Sequence, residues 1–283
     1  MIKLFVTDLD GTLLGDNHAV SKKNAQAIRD LKAAGIEFMV ATGRSYDSAI
    51  AVLKPHDIQC QMINLNGAIS YDINGNILQS IPLKLNTVSD IFDYVALNEM
   101  NFSIMTQDTF YTSDKDKFIE RMETLLRQAA ESSEEEEDSN IQFFGETVED
   151  IDDYELTTEN PPLKVMLISQ DPKVLTDFKA TFDSYPDIDI TSSAPDNLEI
   201  TSHRAQKGLA VQEYINSLGY TMDDVATIGD SLNDRSMLRM ARYGFAMENA
   251  SDEVKDIARY KAPSNEEDGV AQIIYRFLEN NFD

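Results

Sequence analysis

Asp8 and Asp10 stand directly behind the apolar run Ile2–Thr7, Thr42 behind Ile36–Ala41, and Asp230 behind Val225–Gly229, while Lys207 opens a helical pattern. Carboxylates gathered in one place repel unless a cation neutralises them. All-oxygen ligation without cysteine or histidine suits Mg²⁺. Gly11 and Gly229 permit tight turns that let backbone N–H groups approach an anion closely. Any one of these aspartates could simply cap a turn, but their recurrence at successive strand ends points to a shared site. Three histidines, His18, His56 and His203, read as surface residues, with His203 the one placed where it could touch a ligand.

The elements that would position these residues alternate. Ile2–Thr7 reads as a buried strand, Ser21 caps a helix running through Ala34 with Gly35 as its stop, and Ile36–Ala41 is a second strand. A helix near Tyr46–Leu53 and a strand near Gln61–Asn64 follow. That order implies a doubly wound α/β fold, a Rossmann-like parallel sheet whose ligands lie outside the strands' carboxyl ends. Two alternating runs flank Asn74-Gly75, which predicts a hairpin.

From residue 83 to residue 203 the pattern changes to an α+β mixture. Helices are expected near Thr87–Met100 and Lys115–Ala130, and strands near Phe102–Met105, Lys164–Ser169 and Ile188–Thr191. The acidic run Glu131–Asp138 reads as a solvated loop. After Lys207 the parallel pattern resumes, with a strand at Val225–Gly229, a helix starting near Asp234 and a terminal helix near Val270–Leu278. The expected division is a core of residues 1–82 and 204–283 with an inserted domain of residues 83–203.

The chain has 283 residues and a formal net charge of -26. So acidic a protein lacks the positive footprint that nucleic acid requires. No apolar run approaches a membrane span, and the N-terminal run is too short for a signal peptide, so a cytoplasmic protein is expected. The single cysteine, Cys60, reads as a small buried apolar residue. Nothing in the sequence sets an oligomeric state.

Asp8-Leu9-Asp10-Gly11-Thr12, Thr42-Gly43-Arg44, Lys207-Gly208 and Gly229-Asp230-Ser231-Leu232-Asn233-Asp234 resemble the four ordered motifs of the haloacid dehalogenase (HAD) superfamily. Asn66-Gly67-Ala68, Leu198-Glu199-Ile200, Ala246–Ala250 and Glu267–Ala271 resemble its Cof-like phosphatases, which carry a large α/β cap between the second and third motifs. One departure is His203-Arg204-Ala205-Gln206, which leads differently into the lysine.

The resemblance implies an Mg²⁺-dependent phosphatase acting on a small phosphorylated metabolite such as a sugar phosphate. Asp8 would be the nucleophile and Asp10 the general acid and base. Asp8, the Asp10 carbonyl and Asp230 would hold the metal. Thr42, Lys207, Asn233 and the N–H groups of Leu9 and Gly43 would bind phosphate, with Asp234 orienting Lys207 or a metal-bound water. Arg44 would reach the substrate or form a structural salt bridge. The alternatives are a phosphomutase of the same superfamily and a non-catalytic phosphometabolite-binding protein. Retention of both Asp8 and Asp10 argues against the latter.

Overall fold

The structure, a computed structural model, describes residues 2–120 and 147–279. The acidic run 131–138 and part of the helix expected over 115–130 lie outside the described residues.

The expected N-terminal strands form as β1 (Leu4–Thr7), β2 (Glu37–Ala41) and β3 (Gln61–Asn64). Between the first two lies the helix Lys22–Ala33, whose N-cap Ser21 accepts a hydrogen bond from the Asn24 N–H. Asn74-Gly75 turns the hairpin between β4 (Ile69–Tyr71) and β5 (Ile77–Ser80), with Gly75 at a φ of 82°. A second group of strands follows: β6 (Phe102–Met105), β7 (Thr109–Thr112), β8 (Thr147–Asp150), β9 (Lys164–Ile168), β10 (Ile188–Thr191) and β11 (Asn197–Ser202). The chain ends with β12 (Val225–Gly229), β13 (Tyr243–Met247) and β14 (Tyr260–Ala262).

The first sheet runs β14-β13-β12-β1-β2-β3-β4-β5, parallel from β14 to β3 and antiparallel beyond. Successive strands move outward from β1 in one direction through β2 and β3, and from β12 in the other through β13 and β14. The order therefore reverses between β1 and β12, where adjacent connections diverge and leave a crevice. In-register pairing of Thr7 with Val40 and with Ile228 brings the carboxyl ends of β1, β2 and β12 level.

Both faces of this sheet are covered, so its central strands are apolar throughout rather than alternating. Phe5, Phe38 and Val40 pack with Ile28 and Leu31 of the first helix and with Ile273, Ile274 and Phe277 of the terminal helix Gly269–Leu278. Leu4, Val6 and Met39 face the other way, onto Ala210, Val211 and Ile215 of the helix Lys207–Leu218.

The second sheet runs β10-β11-β9-β6-β7-β8 and is antiparallel except between β7 and β8. Its core joins Ile104, Val165, Leu167 and Ile200 to Val88, Ile91 and Val95 of the helix Leu85–Leu97, and to Leu175, Phe178 and Phe182 of the helix Pro172–Phe182. β7, β8, β11 and the helix Pro172–Phe182 were not expected from the sequence. The helix had a legible signal: Asp171 caps it, Pro172 occupies its first turn, and Leu175, Phe178 and Phe182 share one face. Across the seam between the sheets, Leu163 and Ala205 pack against Leu65, Ala68, Ile69 and Tyr71.

Candidate active site

Asp8 is the first residue beyond β1, and its N–H still donates to the Ile228 carbonyl at 3.0 Å, which ties it to the β12 edge. The chain then makes a wide turn over Leu9–Leu13, in which Gly11 has a φ of 66°. A Cβ at Gly11 would lie 2.5 Å from Asp230 Oδ2, so only glycine lets this turn and the end of β12 come together. Asn249 supports the turn by donating to the Gly11 carbonyl at 2.8 Å.

Lys207 is fully buried at the start of its helix. Its ammonium lies 3.0 Å from Asp8 Oδ1 and donates to Asp234 Oδ1 at 2.6 Å. The other Asp234 oxygen accepts from the N–H groups of Asp230 and Ser231 at 2.9 and 3.0 Å. Asp234 therefore spends both oxygens holding the lysine and shaping the loop behind β12. Asp230 accepts from Thr12 Oγ1 at 2.9 Å and from Ser231 Oγ at 3.0 Å. Oxygens of Asp8, Asp230 and Asp234 all lie within 4.8 Å of one another.

Electrostatics separate these groups. Burial, then repulsion from Asp234, raises the Asp8 carboxyl well above the usual range, and Lys207 only partly offsets this. Burial and the same neighbour push Asp230 up to about 6. Lys207 is raised despite burial, because Asp234 and Asp8 hold its proton. The cluster thus carries more negative charge than one lysine cancels. A hard divalent cation fits the chemistry of the donors, since every one of them is a carboxylate oxygen.

Asp10 behaves differently. Desolvation opposes its ionisation, yet Arg44 overcomes this and holds the carboxyl far below the usual range. The guanidinium grips it in a fork, Nε to Oδ2 at 2.8 Å and Nη2 to Oδ1 at 2.6 Å, and His18 stands 3.8 Å away. The structure thus places Arg44 in a salt bridge, and His18 next to the site rather than apart from it. His203 contributes its backbone to Asp187 and Gln206.

Thr42 is fully buried behind β2, and its Oγ1 accepts from the Arg44 N–H at 3.2 Å. The N–H groups of Leu9 and Gly43 have no protein acceptor among the described residues. Asn233 turns its Nδ2 toward Asn66 Oδ1 at 3.2 Å and Glu199 Oε2 at 3.4 Å, and its buried Oδ1 has no hydrogen-bond partner among the described residues. The structure therefore gathers Asp8, Lys207, Asp230 and Asp234 in one network, sets Asp10 with Arg44 beside it, and engages Asn233 elsewhere. Sequence reasoning missed Thr12 and Ser231, the hydroxyls that orient Asp230, although both lie inside the first and fourth motifs. Among the described residues no helix is long and apolar enough to cross a membrane.

The profile of the haloacid dehalogenase-like hydrolases matches residues 5–274. Phosphatase YwpJ of Bacillus subtilis is 30% identical over 98% of this chain and 100% of its own length. The 5-amino-6-(5-phospho-D-ribitylamino)uracil phosphatase YcsE of the same organism is 28% identical over 98% of this chain and 96% of its own. A solved haloacid dehalogenase-like hydrolase from B. subtilis superposes with a TM-score of 0.87 at 28% identity, covering 97% of this chain and 99% of the other. With strand-end carboxylates, buried lysine and doubly wound sheet in the arrangement the motifs imply, the chain belongs to the haloacid dehalogenase-like hydrolases.

Proposed function

We propose that this protein is an Mg²⁺-dependent phosphatase that hydrolyses a small phosphorylated metabolite in the cytoplasm through an aspartyl-phosphate on Asp8. The observation that carries the reading is the placement of Asp8. Its Oδ1 lies against Lys207, and its Oδ2 has no hydrogen-bond partner among the described residues. A buried carboxylate with one oxygen fixed and the other open is suited to attack rather than to structure.

Asp8, Asp230 and the Asp10 carbonyl would hold Mg²⁺, which when bound offsets negative charge between nucleophile and phosphate. Asp8 attacks phosphorus, the bond to the leaving oxygen breaks, and Asp10 supplies the proton that oxygen needs. Asp10 then takes a proton from water as water attacks phosphorus and the bond to Asp8 breaks. Lys207, Thr42 and the open N–H groups of Leu9 and Gly43 stabilise the phosphoryl oxygens, and Asn233 joins them with the Nδ2 hydrogen now turned toward Glu199, while Asn66, itself held by Glu199, keeps the other. Asp234 keeps Lys207 in place.

A general acid must carry a proton, and the Arg44 fork favours the opposite state of Asp10. Substrate binding therefore draws Arg44 away from Asp10, toward the oxygens of the incoming group. Residues 83–203 act as a cap over the core of residues 1–82 and 204–283, a reading supported by Lys164 and Glu199, which reach Gly43 and Asn66 of the core. The named activity of the relative YcsE, on a phosphorylated ribityl compound, supports a small phosphometabolite as the substrate class.

The test is phosphate release across a panel of phosphorylated metabolites with Mg²⁺, followed by Asp8→Asn. The variant should fold and lose turnover by several orders of magnitude. Turnover within a few-fold of wild type would falsify the assignment, and an isomeric sugar phosphate in place of free phosphate would indicate a mutase.

A further inference from the structure

Two sequence motifs, Asn66-Gly67-Ala68 and Leu198-Glu199-Ile200, contribute no reacting group to the chemistry above, and the structure joins them. Asn66 Nδ2 donates to Glu199 Oε2 at 2.8 Å, from the turn after β3 in the first sheet to β11 in the second. On β9, Lys164 donates to Glu199 Oε1 at 2.9 Å and to the Gly43 carbonyl at 2.8 Å. Ser193 Oγ supplies a further hydrogen bond to Oε1 at 3.2 Å. The side chains of this ion pair are 2% and 4% exposed.

A buried ion pair is costly relative to apolar side chains of the same volume, so its presence at a seam calls for a role beyond adhesion. The contacts indicate that role. Lys164 fixes the carbonyl of Gly43, whose N–H faces no protein acceptor among the described residues. Glu199 takes the amide of Asn233 at 3.4 Å and, through Asn66, holds it a second time at 3.2 Å. Around Gly43 there is no slack. A Cβ there would meet Asn66 Oδ1 at 3.1 Å and both charged groups at 3.5 Å.

We infer that Lys164 and Glu199 are positioning residues that set the loops after β2 and β12 for phosphoryl transfer only while the second sheet is seated on the first. The inference rests on the phosphatase reading for its kinetics, and it adds a coupling that the four motifs do not contain. Lys164 anchors the Gly43 carbonyl, one peptide unit beyond the Gly43 N–H, and Glu199, through Asn66, aims Asn233. Neither touches the leaving group, so their loss reduces turnover of all substrates alike.

The test compares Glu199→Gln with the double variant Lys164→Met/Glu199→Gln. The single variant strands a buried ammonium and should lower the melting temperature. The double variant removes both charges and should recover much of that loss. If the pair positions the loops, kcat for p-nitrophenyl phosphate stays roughly tenfold or more below wild type in the double variant. KM should change less, and the same factor should apply to metabolites with different leaving groups. Hydrogen exchange, which needs no turnover, should quicken in the segments 42–46 and 230–234. Recovery of kcat together with stability, a loss confined to one leaving group, or unchanged exchange in both segments would each overturn the inference. A wild-type protein inert toward every phosphoester would instead sink the phosphatase reading, with the exchange measurement still deciding the coupling.

Discussion

Mg²⁺ binding should weaken as pH falls through about 6, by an amount set by Asp230. Its carboxyl is raised from 3.8 to about 6 by burial and by Asp234. A carboxyl raised on folding favours its protonated form. The metal-free fold is therefore most stable below the unfolded value, near 4, and loses stability as pH rises through about 6. A rise of that size corresponds to about 3 kcal/mol, an upper figure for a site that water partly reaches. Mg²⁺ reverses the sign, because it binds the ionised form. With Asp230 about nine-tenths ionised at pH 7 and about one-tenth at pH 5, apparent affinity falls about tenfold between them, or about 1.4 kcal/mol. Asp8, raised by the same cluster, adds to that fall. Calorimetric titration of the protein with Mg²⁺ at pH 5, 6 and 7 measures this directly. Asp230→Asn is the control, expected to bind weakly and with a flatter pH dependence. Equal affinity at pH 5 and 7, or unaltered binding by Asp230→Asn, would refute the assignment of Asp230 to the cation.

Three further outcomes follow from the same geometry. Asp234→Asn sets an amide against Lys207 or against two backbone N–H groups. It should cost about 3–5 kcal/mol in urea denaturation, and a loss below about 1 kcal/mol would contradict the network described. Gly11→Ala puts a methyl 2.5 Å from Asp230 Oδ2 on a backbone with a φ of 66°. Strain of about 1–3 kcal/mol and weaker Mg²⁺ binding are expected, and calorimetry showing unchanged affinity would speak against that close approach. Arg44→Met should let the Asp10 carboxyl rise toward the ordinary value of about 4, read by carbon NMR of labelled aspartate. A titration that stays depressed in the variant would mean that Arg44 is not the cause.

The core was legible because each of its signals is local. β1, β2, β3 and β12 are short apolar runs punctuated by polar residues, and buried parallel strands leave that trace. The site inherited this clarity, since in-register strands bring the residues behind them to one level. The second sheet was harder to read. β11 places Glu199 inside, where it is ionised despite burial because Lys164 faces it, so the usual sign of an inward position is inverted. β7, Thr109–Thr112, is short and carries threonine at both ends. The Arg44–Asp10 fork was beyond local reading for another reason. It joins residues 34 apart in sequence, and no periodicity reports which arginine meets which carboxylate.

On the proposed reading, the charge of the site itself accounts for how so acidic a protein could attract an anion. Five carboxylates, Asp8, Asp10, Asp230, Asp234 and Glu199, meet three cations, Arg44, Lys164 and Lys207. Each cation is already matched: Lys207 to Asp8 and Asp234, Arg44 to Asp10, Lys164 to Glu199. With all five ionised, lysine and arginine alone leave a local excess of two negative charges, and a phosphate dianion would be repelled by the carboxylate proposed to attack it. One divalent cation would cancel that excess. The open N–H groups of Leu9 and Gly43 would then meet incoming oxygens without an opposing field, while the remaining acidic surface is screened over about 10 Å at 0.1 M salt. The net charge of -26 thus acts at a distance and the pairing of a few buried groups acts at contact. On the proposed reading, the metal's first task would be to make phosphate binding possible at all, ahead of any contribution to the transition state.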